Sequence, residues 1–195
     1  MVSALEEKLL QVGFNGFTKD EKNSFVMELA NKLGMAFTDV TEAYIFEYHR
    51  ALKAEVMSQT CEDTILKGFT ASNGHYYRTD RDDQTNMLGQ KEYLRDHPET
   101  TVVEWKTEDK GRINHTREEW IKVFYEAFLF KDKTLKKLDR VKKKIATATN
   151  DFEVTAIKWN TFDTDFPEES PEHTDYEEPI TSGGDGSGEG NPVED

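Results

Sequence analysis

Apolar residues recur at a helical interval in two long parts of this chain and alternate like strands between them, with the first change near residue 65. The strongest helical signal runs from Thr116 to Thr149 without Pro or Gly. Thr116 followed by Glu119 is a reciprocal capping box, in which hydroxyl and carboxylate each satisfy an orphaned N–H of the first turn. From Trp120 to Phe130 the segment is apolar nearly all the way round, which predicts a central helix with Trp120, Phe124 and Phe128 interior. From Leu135 it narrows to a stripe of Leu135, Leu138, Val141 and Ile145 among lysines, so this half is expected either to project from the core or lie along a partner, or to be an ordinary core helix with a solvated basic end.

Three helices are predicted before residue 60. Ser3 caps one over 3–12, carried by Leu5, Leu9, Leu10 and Val12, and Thr18 with Glu21 boxes a second that Gly34 stops. A third begins near Thr38 or Asp39 and runs to about Gln59, with Val40, Ala43, Tyr44, Phe46, Ala51, Leu52 and Val56. This region either packs on the rest of the chain or attaches to another protein.

Residues 65–71 then read as a strand, Asn73-Gly74 as a tight hairpin turn, and His75 to Arg78 as the returning strand. Thr79 or Asp80 caps a helix with Met87, Leu88, Tyr93 and Leu94 turned inward, and Pro98 ends it. Thr101 to Lys106 is a third strand, 108–111 a turn, and Arg112 to His115 a short fourth strand. One or two further helical turns follow from Asp151, and Trp159 and Phe162 form a last apolar clasp.

These elements predict an α+β fold: a helical N-terminal region over 1–60, a small antiparallel sheet of a hairpin plus one or two strands on a long C-terminal helix over 61–160, and an acidic tail over 161–195. Charge sharpens that last boundary. The net charge of −14 is concentrated in the tail, which holds 12 acids and no Lys or Arg, leaving 27 acids against 25 bases elsewhere. Rich in Pro, Gly and acids, the tail is expected to be disordered alone. The near-neutral body argues against a dedicated nucleic-acid binder. No apolar run is long enough for a membrane span, and the N-terminus lacks the order of a secretory signal, which predicts folding in a cytoplasm.

Candidate chemistry is sparse. Cys61, the single cysteine, carries no nucleophile motif and reads as an inert, partly buried thiol. The five histidines are scattered, with no i, i+4 pair of a helical metal site, and His115 beside Glu118 and Glu119 reads as a capping neighbour. Asp80, Asp82 and Asp83 suit a helix dipole better than a calcium loop. Gln84 and Asn86 are expected to hydrogen-bond the hairpin backbone rather than line a ligand groove. The three tryptophans read as core residues. No catalytic, cofactor-binding or metal-binding residue is assigned, and an enzymatic role is not expected.

The residues from Gly68 to Asp80, Asp83 to Leu88 and Val103 to Thr107, with the helix from Thr116, resemble a family of domains of unknown function found in tailed-bacteriophage tail, tail-fibre and fibre-assembly proteins. The similarity spans about residues 60–160. The Lys-rich helix extension and the acidic tail depart from the family's pattern. The resemblance implies a context and no reaction: a non-enzymatic structural component of a bacteriophage virion, in the tail, baseplate or tail-fibre attachment, made in the host cytoplasm. Its partners would be other tail or baseplate proteins, with self-association in several copies open to it, and neither nucleic acid nor membrane. An assembly chaperone absent from the mature particle is the alternative. The candidate partner-contact residues are Lys136, Lys137, Lys143 and Lys144 on the helix and Asp163, Asp165, Glu168 and Glu169 in the tail.

Truncation near residue 162 is expected to leave the thermal melt of the body intact while weakening partner binding and its salt dependence. Loss of folding would refute that boundary.

Overall fold

Each helix starts where a short polar side chain can turn back on its first N–H groups. The computed structural model describes residues 2–161. Helices α1 (Ala4–Val12), α2 (Lys19–Leu33) and α5 (Arg117–Thr147) open on the capping boxes of Ser3–Glu6, Thr18–Glu21 and Thr116–Glu119. Asp80 caps α4 (Arg81–Asp96), and Asn150 caps α6 (Asp151–Ala156). Helix α3 (Glu42–Lys67) begins later and ends later than its pattern suggests. A single 3₁₀ turn takes up Phe37–Asp39, and Thr41 is the cap. Its last turns absorb Ile65 and Leu66, so the expected strand over 65–71 shrinks to β1 (Phe69–Thr70).

The buried row of α3 is Ile45, His49, Lys53, Met57, Cys61 and Ile65, spaced four apart. Ala43 and Ala51, expected on its apolar face, are exposed. A four-residue step overshoots the helical turn by about 40°, so this row winds around the helix. In consequence α3 faces two apolar clusters in turn and ends beside a third. Ile45 joins Leu9, Phe14, Phe17, Phe25 and Leu29. Met57 meets Val141, Ile145 and Ile157. Ile65 ends beside the hairpins, where Trp120, Tyr77, Met87, Leu94 and Val103 form the remaining cluster.

Two antiparallel ladders replace the single small sheet. β1 pairs with β2 (Tyr76–Tyr77) in the register Phe69↔Tyr77, and β3 (Val102–Thr107) pairs with β4 (Gly111–Thr116) from Val102↔Thr116 to Thr107↔Gly111. They are stitched together at one turn: Glu108 N donates to Tyr76 O at 2.9 Å, while Asp109 accepts from Tyr76 N at 3.0 Å and from the His75 ring at 2.9 Å. The first hairpin also turns differently from the two-residue Asn-Gly loop. Only Gly74 has positive φ, Gly74 N bonds Ala71 O, and Ala71 N bonds His75 O, which gives a three-residue loop. Asn73 is engaged through its side chain instead, accepting from His75 N and donating to the Tyr77 hydroxyl.

Helix α5 is two-faced rather than central. Trp120, Val123, Ala127, Thr134, Val141 and Ile145 are buried, whereas Tyr125, Phe128 and Leu129 face outward and Phe124 is half-buried. The hairpins and α4 cover one side only, and the aromatic letters on the other side stay in contact with solvent. Its Lys-rich half neither projects nor waits for a partner: it lies against α3, with Cys61 Sγ at 3.6 Å from Thr134 O and the Arg50 guanidinium on Ala146 O. Leu88 and Tyr93 of α4 likewise point outward while Met87 and Leu94 are buried. Trp159 packs beside Met57, Val141 and Ile145, and its expected companion Phe162 lies outside the described residues, as does the acidic tail.

Gly68, at φ +106°, lies where a Cβ would sit 2.0 Å from Tyr77 O, whereas Gly74 at φ +82° has open space around it. Gly68→Ala should therefore cost about 3 kcal/mol or more, and Gly74→Ala about 1 kcal/mol, as read by urea denaturation. Equal costs would overturn this account of the hairpin entry.

Candidate functional site

Polar groups that the folding of distant segments drives inward are the first place to look for chemistry. Glu6 of α1 is 3 % exposed and accepts from Lys32 Nζ at 2.6 Å, from the Tyr48 hydroxyl and from Ser3 N at 2.8 Å. Burial alone would raise its pKa, and these donors outweigh burial, holding the carboxyl below the ordinary range. Tyr48 moves up, through burial first and its bond to Glu6 second. The trio fastens α1, α2 and α3 to one another.

A second group joins α3 to α6. His49, fully buried, shares Nδ1 with Asp151 Oδ1 at 2.8 Å. Neither His49 Nε2 nor the buried Thr155 Oγ1, one turn beyond Asp151, has a hydrogen-bond partner among the described residues. Lys53, one turn along α3 and 6 % exposed, is pushed below the usual lysine range by burial and then by Lys158. Burial likewise lowers the His49 pKa, against the opposing pull of Asp151. A third group sits under the hairpins, where Tyr77 OH accepts from Asn73 Nδ2 at 2.7 Å and meets His115 Nε2 at 2.6 Å. His115 is thus a buried core partner of Tyr77, not a capping neighbour; strand alternation on β4 turns it inward opposite Val103. Cys61 is buried, and burial raises its pKa, as suits an inert thiol. Among the described residues no three His, Cys, Asp or Glu side chains gather in a way that would hold a metal ion.

The surface feature of note is a groove of about 410 Å3 between α4 and α5. Ile65, Met87 and Ala127 form its floor, and Leu88, Phe124 and Phe128 its apolar walls. Leu88 is 54 % exposed and Phe128 55 %. Thr79, Arg81, Gln84, Thr85 and Lys131 supply the polar margin. Lys131 Nζ donates to Gln84 Oε1 at 2.6 Å across the groove, while Gln84 Nε2 donates to Thr79 O at 2.8 Å. Gln84 does bond the segment leaving the hairpin, as expected, and it lines the groove as well. Beyond the groove, Arg117, the first residue of α5, ties the two helices together by donating to the carbonyls of Leu94, His97 and Thr100.

The residues singled out from sequence as partner contacts fall elsewhere. Lys136, Lys143 and Lys144 are exposed on the second half of α5, with Lys136 3.0 Å from Asp132. Lys137 is half-buried with its Nζ 4.7 Å above the Trp159 ring. Asp163, Asp165, Glu168 and Glu169 lie outside the described residues.

One family model matches residues 48–163, described as a domain of unknown function (DUF4376). This chain belongs to that family. No curated protein and no solved structure matches it. The family match starts inside α3 and takes in His49, Lys53, Asp151 and every residue that lines the groove. No helix among the described residues is long and apolar enough to cross a membrane.

The buried groups missed from sequence carry a pH signature. Because the folded His49 pKa lies below its unfolded value, the native state binds fewer protons, so stability is full above about pH 6.5 and falls as pH drops through the folded value. Urea midpoints should therefore fall between about pH 7.5 and 5.5, less so in His49→Gln. An equal fall in that variant would show that His49 is not responsible.

Proposed function

We propose that this chain is a non-enzymatic structural component of a bacteriophage virion, held in the tail, baseplate or tail-fibre attachment through its α4–α5 face. The observation that carries the docking part is the outward display of Leu88, Tyr125 and Phe128 around the half-buried Phe124, which a body with a filled core does not need for stability. Lys91 lies 4.9 Å from the Phe124 ring centroid and 5.3 Å from that of Tyr125, so the display is edged by a cation. Supporting the virion part is the resemblance of the hairpin exit, the Gln84-Thr85-Asn86 helix start and the Trp105 strand to phage tail and tail-fibre domains.

The polar groups support the same reading. His49, Lys53 and His115 are all buried, and their neighbours are other parts of the fold. On this view they set the relative positions of helices, and the groove does the binding. Several copies in one particle would multiply modest contacts.

Quantitative mass spectrometry of purified particles tests this. The chain should be present in a fixed ratio to the other tail proteins. Its absence from particles, with retention in assembly intermediates, would make it an assembly chaperone instead.

A further inference from the structure

We propose that the α4–α5 groove receives a single amphipathic α-helix from a partner protein, bearing two large apolar side chains four residues apart and a carboxylate beside them. The inference rests on the docking role proposed above and specifies what docks. Three observations carry it.

The walls of the groove are helices. Along α4 and α5 the backbone N–H and C=O groups are committed within each helix, so the groove offers no edge to which an extended strand could bond. An occupant lying against these walls must satisfy its own backbone, which a helix does. Secondly, the walls show helical spacing. Gln84 and Leu88 stand one turn apart on α4, and Phe124, Phe128 and Lys131 follow one another on α5. Rows of this kind accept the side-chain ridge of a third helix, whose anchors repeat at the same interval.

Charge supplies the third observation. Arg81 and Lys131 line the groove, Lys91 flanks it, and no carboxylate is among the lining residues. Outside the tail the chain carries 27 acids against 25 bases, so a margin with cations alone is a local property. The Lys131 ammonium spends one donor on the neutral Gln84 oxygen and keeps its charge for an incoming anion. Arg81 is paired with Glu62 at 2.7 Å, so the charge offered to an incoming anion rests with Lys131 and Lys91. A partner helix with a basic margin would meet repulsion here; an acidic one would not.

The test is a display selection with the full chain as target and a library of helix-favouring peptides of about 15 residues, randomised at two positions four apart and at the flanking positions. Selected peptides should carry large apolar residues at both anchors and Asp or Glu at the flanks. Their binding, followed by fluorescence anisotropy, should weaken at least about tenfold in Leu88→Lys and in Phe128→Lys, and severalfold on going to about 0.5 M salt. Both positions are exposed, so the variants should melt like the parent; Leu88→Ser and Phe128→Ser provide a second pair. Failure to enrich any sequence, enrichment of basic or Pro-rich sequences, or binding unchanged in all four variants would overturn the proposal. So would a dimer of the chain that Phe128→Lys dissolves, because a second copy would then fill the groove. Particle mass spectrometry can fail while this selection succeeds, and the reverse, so the two proposals are separable.

Discussion

Among the described residues, the fold hangs on the packing of α3 against α5. At 26 and 31 residues the two helices are about 39 and 46 Å long, and contacts at Arg50–Ala146 and Cys61–Thr134 show that they run antiparallel. Neither could be stable alone at its composition, since each carries a face that is apolar and a face that is charged. Joined, they give a rod to which α1 and α2 attach near one end and the hairpins with α4 near the other. The winding row on α3 makes that arrangement possible, because a straight stripe would have faced only one neighbour.

How much of this was readable in advance follows from how local each cause is. Capping boxes at Thr18 and Thr116 were visible because hydroxyl and carboxylate lie three residues apart, whereas at Ser3 only the cap was read and its partner Glu6 was not. The third strand was visible because Val103, Trp105 and Thr107 alternate with charged residues. What escaped was set by distance. Glu6 meets Tyr48 across 42 positions, and His49 meets Asp151 across 102, and no spacing rule connects such pairs. The i+4 row of α3 was in principle present in the letters, but His49 and Lys53 interrupt it with residues that a search for apolar positions discards.

The groove was hidden for a related reason. Read as letters, Phe124, Phe128 and Leu88 look like core, since hydropathy does not say which apolar residues the available elements are too few to cover. Only the placement of α4 shows that one aromatic face of α5 is left over. The Lys-rich half was legible only as a choice between an outside partner and a core helix with a solvated basic end, and α3 decides it by covering the stripe within the same chain.

The clamp made by Arg117 has a mechanical meaning. Its guanidinium ties the C-terminal carbonyls of α4 to the first turn of α5, and fourteen residues further on Lys131 reaches across to Gln84 near the start of α4. Ties at both ends oppose scissoring of the two helices and hold the width of the channel between them. Were a helix to dock there as proposed, it would meet walls already shaped, the entropy of ordering them having been spent when the chain folds.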